Sequence, residues 1–257
     1  MSFTNEEILK IAMQQQAIDS NCSPEDFCRV ENKVVISKDH SLARKYLTLP
    51  FFCDLVSYGS NIVASVDAAI EDTVLKYINR YEIGHCFETP NLYVLNDELE
   101  KHGMKICFMA EYFLPDMEVL KPESCDYEIK ILRRADFANL YKPEWSNALC
   151  EKRKHLDVLA AGAFDGEKMI GLAGCSADCE NMWQIGVDVL QSYRKRGVAS
   201  ALTSVLALEI LRLGKVPFYC CAWSNIRSVR NAIKSGFKPA WVEITAKSRE
   251  FIDSINQ

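Results

Sequence analysis

An apolar run, Met182–Leu190, leads through a short cationic turn, Arg194-Lys195-Arg196-Gly197-Val198-Ala199, into a strongly helical run, Ser200–Leu213. Strand, glycine turn and helix in immediate succession leave few folds open. The first N–H groups of a helix have no intrahelical partner, and the helix dipole adds partial positive charge there. A cationic, glycine-containing turn at that point is a ready phosphate site. A solvated helix start would use the same residue types.

The pattern around the turn reads as α/β. Tyr127–Leu132 is a strand, followed by helical segments at Asp136–Leu140 and Glu144–His155. Leu159–Phe164 and Lys168–Ser176 are strands joined through Asp165-Gly166, a hairpin signal. After the helix that Gly214 ends come the strand Val216–Trp223, the helix Ile226–Ser235 closed by Gly236, and the strand Pro239–Thr245. The first half is less regular. Thr4 and Glu7 form a capping box for a first helix, and Ser23-Pro24 marks a second start. Leu42–Leu47 is expected to be helical, Asp54–Val66 to be strand, Gly59 turn and strand, Ala68–Tyr81 and Asn91–His102 to be helices, and Lys105–Phe113 a strand. The polar stretch Glu118–Asp126 with Pro122 is the expected junction, giving domains at 1–120 and 121–257.

Composition excludes several classes. The chain has 257 residues, 49% hydrophobic and 25% charged, enough for a sizeable core. A net charge of −5 argues against bulk electrostatic binding of nucleic acid, although Lys152-Arg153-Lys154-His155 is locally basic. The eleven cysteines are scattered, with no C-x-x-C pair and no histidine at zinc-ligand spacing, so no metal site is expected. Their odd number suggests reduced thiols and a cytoplasmic protein. No signal peptide and no membrane-spanning stretch are read from the sequence.

The element order and the turn together resemble the GNAT superfamily of acyl-CoA-dependent N-acyltransferases. The six residues Arg194–Ala199 fit its basic, x, x, Gly, x, Gly/Ala pattern. Trp183–Leu190 looks like the family's key strand. Asn225 early on a helix that closes in Gly236-Phe237 looks like its second motif. The resemblance covers roughly residues 127–245. It implies a mixed, splayed central sheet flanked by helices, with acetyl-CoA as co-substrate. Lys195, Gly197, Val198 and Ala199 would cradle the pyrophosphate through backbone N–H groups, and Arg194 and Arg196 would add charge. The strand would splay at a bulge, so that the backbone of Val187 and Val189 meets the pantetheine arm. Asn225 and Ser228 would approach the arm from the other side. A plain helix cap is an equally available role for Asn225.

The implied activity is N-acetyl transfer to a primary amine by direct attack in a ternary complex. Ala232 stands where many members carry a tyrosine that protonates the departing thiolate. Tyr219, or a cysteine of Cys220-Cys221, is the candidate replacement, and Asp188 is the candidate base. Glu144, Asp178 and Glu180 lie in segments that bound the acceptor cleft in the family. Losing a general acid weakens transfer without forbidding it. The alternative is an acyl-CoA-binding sensor or interaction module that has lost catalysis. The acceptor is expected to be a small-molecule or peptide amine, without nucleic-acid or membrane partners. No catalytic motif precedes residue 120. Leu99–Lys105 aligns with Ala232–Lys238, each a helix ending in glycine before a strand, which suggests a degenerate GNAT-like half. Its expected work is to wall the acceptor cleft or to mediate association, such as homodimer formation.

Overall fold

The computed structural model describes residues 3–256. In chain order it contains α1 (Asn5–Ser20), β1 (Lys33–Ile36), β2 (Cys53–Ser57), β3 (Val63–Val66), α2 (Glu71–Ile78), α3 (Asn91–Glu100), β4 (Met104–Pro115) and β5 (Glu128–Arg133). Then come β6 (Asp157–Asp165), β7 (Lys168–Ser176), β8 (Met182–Val189), α4 (Val198–Arg212), β9 (Val216–Ala222), α5 (Ile226–Lys234), β10 (Phe237–Ser248) and α6 (Arg249–Ile255). The α/β class and the element order from β6 to β10 are those the sequence implies.

The chain divides into two compact units, but not at 120/121. The first unit combines the chain up to Ile11 with Phe113–Pro239, and the second combines Ala12–Tyr112 with the chain from Ala240. Helix α1 and the two twelve-residue strands, β4 and β10, each pass from one unit to the other. A boundary drawn from linker composition misses this, because the crossings occur inside regular elements.

In the first unit, the strands lie in the order β9-β8-β7-β6-β5, antiparallel except for the parallel β8–β9 pair. Strand alternation gives the sheet two different faces. Residues 159, 161 and 163 of β6, 173 and 175 of β7, and 185, 187 and 189 of β8 pack with Val198, Leu202, Leu206 and Ile210 of α4. Gly171 lets α4 come close, since a Cβ there would lie 2.9 Å from both Leu202 and Val198 side chains. The opposite face packs Ala160 and Leu172 against Phe137, Trp145, Ala148 and Leu149.

That second covering layer is not the pair of helices the sequence pattern predicts. Over 134–155 only single helical turns form, at Arg134–Asp136, Pro143–Trp145 and Glu151–Arg153. The backbone N–H groups of Asn147 and Ala148 donate to Asp188, and that of Cys150 donates to Asp157. Sheet carboxylates thus take donors that a longer helix would have used itself.

In the second unit the order is β1-β3-β2-β10, with β1 parallel to β3 and the remaining pairs antiparallel. Leu55, Ile62, Ala64 and Val66 bury against Val74 and Ile78 of α2 and Leu95 and Leu99 of α3. Leu42–Leu47, predicted helical, forms turns instead. Here α1 supplies the reason: Gln15 donates to the Leu42 carbonyl at 3.1 Å, and the Arg44 N–H donates to Asp19 at 2.9 Å. Helix α6 was not foreseen; Ser248 caps it by accepting from the Phe251 N–H at 3.3 Å.

Candidate functional site

The parallel ladder between β8 and β9 begins at Met182↔Val216 and stops at Ile185↔Tyr219. Beyond that fork β8 continues to pair with β7 alone, without a register shift, from Ser176↔Gln184 to Gly171↔Val189. The expected splay of this strand from the next one, β9, is present, and no bulge interrupts the β7–β8 ladder. The Leu190 N–H donates to Ile170 O. Alternation along an antiparallel strand then turns the backbone groups of Gly186 and Asp188 toward β7, and those of Val187 and Val189 toward the open fork. The guanidinium of Arg194 reaches back and donates to the Val189 carbonyl at 3.0 Å.

A cleft of about 1120 Å³ opens at the fork. Val187, Val189, Arg194, Lys195, Gly197, Val198, Ala199, Asn225 and Ser228 line it, as do both catalytic candidates, Asp188 and Tyr219. Arg196 is the exception. Its guanidinium donates to the Tyr127 hydroxyl at 2.7 Å and sits 5.5 Å from the ring centre of Tyr193, a lining residue, but Arg196 does not itself line the cleft. The alternation of residues around a tight turn explains this: Lys195 and Gly197 have positive φ, 64° and 79°, so successive side chains leave in different directions.

Gly197 is the residue before α4 and has no side chain to cap it. The first N–H groups of the helix, at Val198, Ala199 and Ser200, precede the first intrahelical bond, from Ala201 N–H to Gly197 O. They form the wall of the cleft together with Arg194 and Lys195. Across from them α5 presents Arg227, Arg230 and Lys234 at i, i+3 and i+7. Among the described residues, Asp188 is the only acidic one of the lining. The arrangement favours a ligand bearing several negative charges.

Tyr219, the last β9 residue paired with β8, is 4% exposed, and its hydroxyl is 2.7 Å from the Ser228 hydroxyl. Burial holds its pKa above the usual phenol value, against the opposing hydrogen bonds of Ser228 and Asn231. The group therefore stays protonated at neutral pH and can give a proton. Ala232 is fully buried in the same core as Tyr219 and Phe237. Asn225 does cap α5, accepting from the Ser228 N–H at 3.3 Å, and lines the cleft as well. Of the cysteine pair, Cys220 receives a hydrogen bond from the Gln184 amide at 3.0 Å, and neither Cys220 nor Cys221 lines the cleft.

The Asp188 carboxylate accepts three hydrogen bonds. One oxygen accepts from the N–H groups of Asn147 (2.8 Å) and Ala148 (3.0 Å), the other from the Asn147 side-chain amide (2.6 Å). Glu144, Asp178 and Glu180 lie outside the cleft lining, and Asp178 is buried in an ion pair with Arg153. That pair, with Lys154 bonded to Glu151 at 3.2 Å, also occupies cations of the basic run 152–155. The sequence reading missed Asn147, Arg227, Arg230 and Lys234. The three α5 cations were legible from their spacing, whereas Asn147 sat in a segment expected to be helix.

No helix among the described residues is long and apolar enough to cross a membrane, and no cluster of metal-ligating side chains occurs among them. No family model matches the chain, and no curated protein matches it. Among solved structures it is similar to a protein assigned to the GNAT acetyltransferase family from Novosphingobium aromaticivorans, at 20% identity and a TM-score of 0.41, over 56% of this chain and 66% of that one. A GCN5-related N-acetyltransferase from Sphaerobacter thermophilus is similar at 15% identity and 0.46, over 73% of this chain and 72% of that one. A Drosophila protein of unstated activity is similar at 13% identity and 0.46, over 95% and 89% of the two chains. At such identities and TM-scores the activity has to be read from this chain's own residues.

Proposed function

We propose that this chain is a GNAT-type N-acetyltransferase that uses acetyl-CoA as donor and a primary amine as acceptor. One observation carries the reading: the β8–β9 ladder forks at Ile185↔Tyr219, and the fork runs into a turn with two positive-φ residues at the start of α4. An open strand edge that ends on a cationic helix start suits a ligand with amides at one end and phosphates at the other.

In this reading the N–H groups of Val198 and Ala199, with the Lys195 and Gly197 backbone, hold the pyrophosphate, and Arg194 supports the turn through Val189. The open backbone of Val187 and Val189 pairs with the pantetheine amides, and Asn225 and Ser228 face the arm from α5. Acetyl-CoA supplies an activated acyl carbon. The acceptor nitrogen attacks it, the new C–N bond forms, and the C–S bond breaks. A backbone N–H at the fork stabilises the oxygen that becomes negative in between. Tyr219 gives its proton to the departing thiolate, with Ser228 holding its hydroxyl in place. The proton lost by the amine leaves through water.

The test pairs calorimetric titration of coenzyme A with an assay of thiol release from acetyl-CoA against primary amines, polyamines, aminoglycosides and amino acids. Binding and transfer together support the reading. Binding without transfer to any amine favours an acyl-CoA-binding module, the alternative that Ala232 motivates. Absence of binding eliminates both.

A further inference from the structure

The sheet face opposite α4 carries a seat that the donor does not explain. Gly174 and Gly186 are partners across the β7–β8 ladder. A Cβ on Gly186 would lie 1.9 Å from the Asn147 carbonyl oxygen, and one on Gly174 would lie 2.1 Å from that of Ala148. No other residue type leaves room for the 147–148 backbone, which rests directly on the strands. Two residues beyond Gly186 on the same face, Asp188 accepts the N–H groups of both residues that sit there. On its other side the segment is anchored by Trp145, Ala148 and Leu149, all buried. An irregular backbone segment held by two glycines and one carboxylate is fixed in place for a reason, and the exposed residue at its centre is Asn147.

The chemistry of that side chain is determined by its partner. A carboxylate only accepts hydrogen bonds, so Asn147 must turn its NH₂ toward Asp188. Its carbonyl oxygen is then the end left for the cleft, which Asn147 lines beside Val187, Asp188 and Val189. The other charged residues of the lining are all cations. A neutral amine needs N–H acceptors and must keep its lone pair free, so donors and cations do not suit it. An amide oxygen beside the open end of β8 does.

We infer that Asn147 is the acceptor-amine contact of the cleft, and that Asp188, with Gly174 and Gly186, is the positioning residue that fixes it. The inference rests on the acyltransferase reading. In this inference Asp188 acts on the amine through Asn147, because the three hydrogen bonds it accepts all come from that segment.

The experiment uses the full chain and four probe amines, ethanolamine, phenethylamine, spermidine and lysine, with Asn147→Ala and Asp188→Asn as variants. Asn147 is exposed, so its truncation leaves the fold intact. The expected result for Asn147→Ala is a rise of roughly 10-fold in the amine KM, with kcat less affected and coenzyme A affinity within about two-fold of the unaltered protein. Asp188→Asn is expected to raise the amine KM at least as much, without removing a limb of the pH–rate profile. Adding Asn147→Ala to it should cost little more, because both act through one contact. An unchanged amine KM in Asn147→Ala overturns the assignment of Asn147. A lost acidic limb in Asp188→Asn, the mark of a general base, overturns its role as a positioning residue. If the unaltered protein fails to bind coenzyme A or to acetylate any of the four amines, the acyltransferase reading is what fails, and the inference falls with it.

Discussion

The two units answer the same structural problem with opposite charge. In the first, strand β8 leads into α4 through Arg194-Lys195-Arg196-Gly197, leaving the helix start uncapped and cationic. In the second, β3 leads into its helix through Asp67, whose carboxylate accepts the Ala69 N–H at 2.8 Å, and α2 then opens with Glu71 and Asp72. A helix start furnished with its own carboxylates is stabilised from within and repels an external anion. Further along, both units repeat one device: α3 ends at Gly103 (φ 71°) before the twelve-residue β4, and α5 ends at Gly236 (φ 87°) before the twelve-residue β10. Shared connections with divergent helix starts mean that the proposed phosphate site would depend on a few turn residues and not on strand–helix architecture in general.

The comparison breaks most readily at Gly197. A β-branched residue at φ 79° is strained, and its Cβ would lie 3.4 Å from the Ser124 carbonyl oxygen, which disturbs the turn that presents the N–H groups. Gly197→Val is expected to weaken coenzyme A binding by at least roughly 10²-fold. Titration of the unaltered protein should give one coenzyme A per chain, because the acidic start of α2 offers no second site. Two equivalents would contradict the contrast between the units. Tyr219→Phe comes next. It should lower kcat by about 10² at saturating donor while coenzyme A affinity stays within a few-fold. Unchanged turnover would mean that the thiolate leaves without help from this tyrosine.

How much of this was legible in the sequence follows the range of the interactions. The turn at 194–199, the fork-facing valines 187 and 189, and the cap at Asn225 are written in contiguous residues, and each lines the cleft. Arg196 matched the same pattern but points to Tyr127, because a phenol 69 positions away captures it. The role of Asp188 was hidden for a similar reason: its partners lie 40 and 41 positions earlier, in a segment whose composition read as helix. Gly174 and Gly186 looked like ordinary strand residues; their necessity appears only when the 147–148 backbone is laid over them. The division into units was illegible because α1, β4 and β10 cross between them within regular structure.

The second unit buries the charge that the first exposes, and this yields the last and smallest prediction. Asp54 and Glu243 are both buried on neighbouring strands, with Asp19 and Arg44 buried nearby and paired at 3.0 Å. Burial pushes Glu243 up to about 7, with the Arg44 charge opposing and the Asp19 charge adding to it. Burial also raises Asp54 well above the usual carboxylate range, and the Glu243 charge raises it further. A carboxyl that is neutral when folded and ionised when unfolded leaves the unfolded chain with fewer protons. Its stabilising contribution is therefore complete below about 4.5 and is lost as the pH rises toward 7. Glu243→Gln removes the charge that ionisation would bury. Thermal unfolding should show the variant near parity with the unaltered protein at pH 4 and more stable by about 3 kcal/mol at pH 8. The residual slope belongs to Asp54 and Asp19, and Asp54→Asn in the same background should flatten it further. If the unaltered protein grows more stable from pH 5 to pH 7.5 and Glu243→Gln runs parallel to it, Glu243 is ionised in the folded unit, and the contrast between an exposed cationic cleft and a buried neutral acid pair fails.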